Sequence, residues 1–330
     1  MTAEASAISL PDSLFPEARM HLVTPAAPVV GRVVSSTPCL KGKSAAFVRH
    51  VAIDVSGTPL AGNFHVGQSF GVVPPGVDEF GKPHKVRLYS ISSPSFGDDG
   101  AGNVIATTVK RTIDEFKPQK MNDDPERHDL FLGVCSNYLC DLRPGDPVNV
   151  TGPNGKRFIL PSNPDDFDYL FIATGTGIAP FRGMAMQLLE GPTGPCKSQI
   201  HLLMGAPYST DLIYDDLFTK LARHHPNFHY HTAISRETRP DGRRGVYVHQ
   251  LLDESIEKFS QLLTSSRTLI YVCGLAGMQI GLFQLLARHG LGEQYLTVKP
   301  DIAGISPEQW DEKQIKRYVH ATRRCMLEVY

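Results

Sequence analysis

The pattern of apolar residues changes once along this chain, near Pro161, and the change restricts it to a two-part fold. Before that point the apolar segments are short and bounded by Gly and Pro, at 29–34, 47–55, 69–73, 86–91, 104–109 and 148–151. Short strands at such spacing predict an antiparallel barrel or sandwich. From Asp168 onward, buried-strand runs alternate with helical stretches. Residues 169–174 lead into a helix from Pro180, 200–204 into one near 212–224, and 269–273 into one near 278–289. This alternation predicts βαβ units on a parallel sheet. The expected organisation is therefore an antiparallel β-barrel domain over 29–162 followed by a parallel-sheet α/β domain over 163–330, with a linker at 161–164. Residues 1–28, rich in Ala, Ser and Pro, are expected to be poorly ordered. The polar stretch 114–129 reads as a long surface loop. A length of 330 residues agrees with two cores rather than one.

Charge and cysteine usage narrow the function. A formal net charge of −1 argues against a general nucleic-acid or membrane-surface binder. Cys39, Cys135, Cys140, Cys196, Cys273 and Cys325 are scattered, without a paired C-x-x-C or a nearby His pair, so reduced thiols in a cytoplasm fit better than a disulfide framework or zinc site. Glu4, Asp12 and Glu17 fall within the first twenty residues, which resemble neither a secretory signal nor a transit peptide. No apolar run approaches the ~20 residues that span a bilayer. The expectation is a soluble, cytoplasmic chain.

Six segments carry chemistry. In Arg87-Leu88-Tyr89-Ser90 strand alternation puts Arg87 and Tyr89 on one face, where a guanidinium can grip a diphosphate and a phenol can pack on a flat ring. Alone, this tetrapeptide also reads as a strand with solvated Arg and Tyr. Gly133-Val134-Cys135-Ser136 opens a helix whose N–H groups suit phosphate, or is simply a helix start with Ser136 as its N-cap. Gly175-Thr176-Gly177-Ile178-Ala179-Pro180 turns a strand into a helix and lets backbone approach a nucleotide diphosphate. Cys273-Gly274 ends a parallel strand, where ligands of open α/β sheets bind, although a lone Cys there also suits a core. Ser235 and Arg236, with Arg239, Arg243 and Arg244 nearby, favour a 2'-phosphate over bare ribose hydroxyls, or form a solvated basic turn. The apolar end at Leu327-Glu328-Val329-Tyr330 suggests a docked terminus or a last edge strand.

Taken along the chain, the 87–90, 133–136, 175–180 and 273–274 segments, closed by Tyr330, resemble those of the plant-type ferredoxin-NADP(+) reductase family, from about Val48 to Tyr330. The resemblance implies an FAD-binding barrel and an NADP(H)-binding α/β domain. FAD would be held by Arg87 on the pyrophosphate, Tyr89 against the isoalloxazine, Ser90 near its N5, Lys110, and the Gly133, Val134, Cys135, Ser136 element, with Tyr330 covering the flavin face. NADP(H) would be held by Lys110, Thr176, Gly177, Pro180, Gly205, Pro207, Ser235, Arg236, Tyr247, Gly274, Leu275 and Met278. Ser90, Cys273, Glu328 and Tyr330 would be catalytic. Three positions depart from the family pattern: Asp114 stands where an adenine-stacking Tyr is expected, with Phe116 as a substitute; Gly245 replaces a phosphate-binding Lys, with Arg243 or Arg244 to supply the charge; and His249 replaces a Gln.

The implied activity is electron exchange between NADP(H) and a one-electron carrier, ferredoxin or flavodoxin, by a monomer. Lys313, Lys316, Arg317, Arg323 and Arg324, read as one C-terminal helix face, offer a docking surface for such an acidic partner, or a solvated face. Two rival readings fit the same residues: an NADPH-dependent reductase serving an oxygenase or other iron-sulfur protein, and a non-catalytic flavin- or NADP-binding regulator.

Overall fold

The computed structural model describes residues 10–115, 126 and 129–330. Its first half is built from strands β1 Val29–Pro38, β2 Val48–Asp54, β3 Ser69–Val73, β4 Arg87–Ser90, β5 Val104–Lys110, β6 Ile113–Glu115 and β7 Leu130–Leu132, helix α1 Val134–Asp141, and strand β8 Pro147–Asn154. Six of these strands form one antiparallel sheet in the order β4-β3-β8-β1-β2-β5. Alternation sends Val51, Ile53, Phe70, Val72 and Val150 into a single core, each almost fully buried. Each such side chain contributes roughly 1.5–3 kcal/mol by leaving water. The expected barrel is not closed by a continuous ladder. Its edge strands β4 and β5 are instead drawn together just beyond β4, where Ser92 N donates to Ala106 O at 2.7 Å and Thr107 Oγ1 to Ser90 O at 2.9 Å.

The expected loop over 114–129 is entered and left by a small hairpin, β6 against β7, with Asp114 opposite Phe131. Phe116 lies outside the described residues.

Beyond the linker come β9 Asp168–Thr174, α2 Ala179–Glu190, β10 Ile200–Ala206, α3 Asp215–His224, β11 Phe228–Ile234, α4 Val248–Glu254, α5 Ile256–Thr264, β12 Thr268–Gly274 and α6 Ala276–Arg288. The chain ends with α7 Gly292–Tyr295, β13 Leu296–Val298, α8 Glu312–Tyr318, β14 Val319–Ala321 and β15 Cys325–Val329. The large sheet is wholly parallel, ordered β11-β10-β9-β12-β15. Strand order reverses between β9 and β12, and a doubly wound sheet opens its ligand crevice at that reversal, beyond the C-terminal strand ends.

Residues 10–28 depart from the expectation of disorder. His21 N donates to Pro153 O and Val23 pairs with Gly152, while Ser162 N donates to Leu14 O. The fully buried Gln68 donates to Arg19 O at 3.0 Å and Gly155 O at 2.8 Å. Phe15 packs into the core of the second half, beneath the Arg323 guanidinium at 3.6 Å. One aromatic anchor and a row of backbone bonds are enough to order a segment whose average composition is polar.

Arg323 and Arg324 are likewise not where sequence spacing put them. α8 stops at Tyr318, and both arginines are 4% exposed, immediately before β15. Arg324 donates to Thr268 O at 3.1 Å and lies over Tyr295 at 4.9 Å, and Arg323 donates to Arg157 O. They tie the last strand into place, and neither is available to a partner. Lys316 is engaged with Glu312 at 2.6 Å.

Candidate active site

The crevice is made by three chain turns meeting at the sheet reversal. β9 ends at Thr174 and turns through Gly175 (φ +53°) into a 3-10 turn, then α2, with Pro180 in its first turn as expected. A side chain at Gly177 would overlap the Cys273 carbonyl, and one at Gly274 (φ +140°) would overlap Thr174. Only glycine at both positions lets the turn close on the end of β12. Thr174 Oγ1 locks this junction by accepting from Leu275 N at 3.0 Å. Sequence reasoning missed Thr174, whose place directly before the glycine turn was the available signal.

β15 lies beside β12 with Glu328 opposite Cys273 and Val329 opposite Gly274. Tyr330 continues the strand, donating its N–H to Gly274 O at 3.0 Å and accepting from Ala276 N at 3.1 Å. The backbone is thus docked while the residue as a whole remains 64% exposed. Its hydroxyl is 2.7 Å from Thr176 Oγ1, and desolvation raises its pKa. Cys273 is 1% exposed, and burial, reinforced by Glu328, pushes its thiol far up, so it is a neutral wall. Burial also raises the Glu328 carboxyl to about 7. Glu328 Oε1 faces Gly155, just past the end of β8, at 3.7 Å from where a side chain would begin. Ser69 of β3 pairs with both Asn154 and Ser90, which puts Ser90 one strand away from that carboxyl.

On β4, Tyr89 is half-buried and faces the Cys135 thiol; desolvation first, then Cys135, raise its pKa. The first and second predicted diphosphate elements therefore touch. Arg87 is exposed and has no ion-pair partner among the described residues, while Lys110 is exposed at the end of β5. Ser136 is not the N-cap of α1. Gly133 takes that place, and Ser136 Oγ instead accepts from Thr112 N and donates to Gly133 O, both at 3.2 Å. An unpaired guanidinium beside a helix N-terminus suits an anionic diphosphate. The residues present fit the group expected there.

At the far end of the crevice, Ser235 N donates to Ala206 O and Arg236 N to Pro207 O, so the tips of β10 and β11 present Gly205, Pro207, Ser235 and Arg236 together. Tyr247, the N-cap of α4, is 62% exposed, with its ring parallel to that of His249. Gly245 has a physical reason: a side chain there would overlap the carbonyl oxygens of Ile234 and Glu237. Arg239 is paired with Glu254 at 2.6 Å and Arg243 with Asp241 at 2.8 Å, whereas Arg236 and Arg244 have no ion pair among the described residues. Of the two suggested replacements for the missing Lys charge, only Arg244 is uncommitted. Met278 is buried inside α6 and Leu275 is exposed at the crevice mouth.

The oxidoreductase NAD-binding domain family matches residues 171–282. The chain is 33% identical over 315 residues to a ferredoxin--NADP reductase of Picosynechococcus sp., covering 94% of this chain and 72% of that protein. It is also 33% identical over 331 residues to the root-type chloroplastic ferredoxin--NADP reductase of Nicotiana tabacum, covering 98% and 81%. The chain belongs to the ferredoxin–NADP reductase family. A solved ferredoxin-NADP+ reductase from Plasmodium falciparum has the same fold, with a TM-score of 0.66 at 22% identity over 94% of this chain and 99% of that one. A second solved form, with 2'P-AMP, gives 0.65 at 21% over 84% and 98%. No helix among the described residues is long and apolar enough to cross a membrane.

Proposed function

We propose that this chain acts as an FAD-dependent ferredoxin-NADP(+) reductase, as a monomer, with ferredoxin or flavodoxin as its one-electron partner. Six free thiols suit a reducing compartment such as the cytoplasm. The observation that carries the reading is Glu328: a carboxyl poised near neutrality, opposite Cys273 on the coenzyme side and facing the β3-β4-β8 edge on the flavin side.

FAD, when bound, accepts a hydride from NADPH and passes electrons on singly. Arg87 grips its diphosphate, the N-terminal N–H groups of α1 add dipolar attraction, and Tyr89 holds β4 against α1. Ser90 and Cys273 shape the space between the two rings; the neutral thiol adds bulk without charge. Tyr330, held by its hydroxyl to Thr176, would shield the flavin face, and entry of nicotinamide would require that bond to break. Arg236 and Arg244 bind the 2'-phosphate, and Tyr247 stacks on the adenine. Glu328, whose carboxyl burial raises to about 7, would take up and release a proton between the flavin edge and solvent.

Anaerobic mixing with NADPH tests the reading. The yellow protein should bleach within one turnover, much faster than with NADH, and then reduce added ferredoxin. A colourless protein that FAD does not reconstitute, or a flavin that NADPH leaves oxidised, would overturn it.

A further inference from the structure

Away from the crevice, a polar clasp joins the two halves. Arg182, on the first turn of α2, donates from Nη1 to Ser92 O and to Asp98 Oδ1, both at 2.8 Å. Asp98 Oδ2 meets His50 Nε2 at 2.8 Å, His50 Nδ1 meets the Tyr214 hydroxyl at 2.9 Å, and that hydroxyl is 2.6 Å from Thr108 Oγ1. The Arg182 guanidinium also lies 5.6 Å from the centre of the Tyr214 ring. Tyr214 sits at φ +58°, an uncommon region for a bulky residue that persists only where surroundings enforce it. The side chains of Arg182, Asp98 and His50 are only 11–14% exposed.

Buried ion pairs add little net stability compared with apolar packing of the same volume, so their presence points to a role in fixing geometry. The location supports this. α2 begins directly after the glycine turn that meets Cys273, and Ser92 lies two residues past Ser90. A side chain at Gly183, next to Arg182, would run into the Ser93 carbonyl, so helix and strand exit are in direct backbone contact. Gln187, one turn further along, accepts from Ser95 N at 3.0 Å.

We propose that Arg182 is a positioning residue for hydride transfer, holding the Ser90 end of the flavin half in register with the Gly175–Ile178 turn of the coenzyme half. The proposal rests on the reductase reading. Arg182 touches neither reacting group; it acts through the Ser92 carbonyl and Asp98. An ångström of misplacement between reacting groups can cost about a hundredfold in rate, and the clasp, beside the Gly183–Ser93 and Gln187–Ser95 contacts, limits such slippage.

The test compares Arg182→Gln, Arg182→Lys and Asp98→Asn with wild type in the FAD-loaded protein. Four quantities are measured: flavin content, affinity for 2'-phospho-AMP, single-turnover flavin reduction by NADPH, and amide exchange of the peptide 88–96. In Arg182→Gln, flavin reduction should slow by about ten- to a hundredfold, while flavin content and 2'-phospho-AMP affinity stay within about twofold and exchange around Ser92 rises. Arg182→Lys should recover part of the rate, because a cation can still reach the Ser92 carbonyl. If Arg182→Gln does not fold, Asp98→Asn decides, by slower reduction with flavin retained. Unchanged reduction in a folded variant, or parallel loss of flavin, nucleotide affinity and rate, overturns the proposal. Wild-type flavin left oxidised by NADPH overturns the reductase reading instead, and the exchange comparison then still reports on the clasp.

Discussion

Replacing Glu328 by Gln should stabilise the protein, and the gain should grow with pH. The folded carboxyl titrates at about 7 because burial disfavours its charge, against 4.5 for the ordinary side chain. Between those two values the folded protein holds more protons than the unfolded chain. Stability therefore falls as pH rises through that window and levels off above it. At 1.36 kcal/mol per pKa unit, the carboxyl costs wild type about 3 kcal/mol of stability by about pH 8.5, where it is ionised in both states, and under ~1 kcal/mol at about pH 5, where only the unfolded chain ionises it. Gln mimics the neutral carboxyl in shape and carries no such cost. With an unfolding entropy near 2.1 cal/mol/K per residue, 3 kcal/mol corresponds to about 4 °C in Tm for a chain of this length. Paired thermal melts of wild type and Glu328→Gln across pH 5 to 8.5 measure the difference. A gap that does not change with pH would mean that burial leaves the carboxyl unperturbed. A gap that widens toward acid would mean a hidden cation holds it ionised. The same substitution should remove the part of the pH dependence of NADPH turnover centred near 7.

Tyr330→Ser should narrow the preference for NADPH over NADH, because displacing the ring hinders both coenzymes and only NADPH has phosphate contacts to offset it; an unchanged ratio of catalytic efficiencies would leave Tyr330 as a strand end alone. Arg244→Ala should raise the KM for NADPH about tenfold or more at low salt, less at high salt, and leave NADH use nearly intact. Arg243→Ala, already committed to Asp241, should change KM by less than about twofold, and the reverse order of the two variants would contradict the assignment. Arg87→Ala should weaken FAD retention by roughly 1.5–3 kcal/mol, read by fluorescence titration of the stripped protein; undiminished affinity would remove Arg87 from the diphosphate.

Much of this was legible before any coordinates. The shift from Gly- and Pro-bounded strands to βαβ units marked both halves, because periodicity is a local signal and burial enforces it. The Gly175–Pro180 turn was legible for a similar reason: two glycines and a proline have few other uses at a strand-to-helix junction. The misplacements share another cause. Arg323 and Arg324 resembled a continuation of the basic α8 stripe, since nothing in their neighbours reveals that the helix stops at Tyr318 and that Phe15 and Tyr295 wait to receive them. Ser136 is a good N-cap by type, yet Gly133 starts the helix one turn earlier. The clasp of His50, Asp98, Arg182 and Tyr214 spans 164 positions, and no window along the chain displays it.

The segment from residue 10 to 28 makes the two halves one object in assembly, although they look like separable modules in sequence. Phe15 and its guanidinium lid, Arg323, come from opposite halves of the sequence, so this contact waits until the strands and helices between them have been made. A fragment holding the α/β half alone would keep Arg323 near the beginning of β15 but lose the ring and the Asp12 carboxylate 3.4 Å from it. It would carry a guanidinium in apolar surroundings with fewer partners, next to the strand that bears Glu328 and Tyr330. Domain dissection of this enzyme should therefore give a coenzyme-binding half whose last strand frays, and co-expressing the two halves with residues 10–28 kept on the first should restore it.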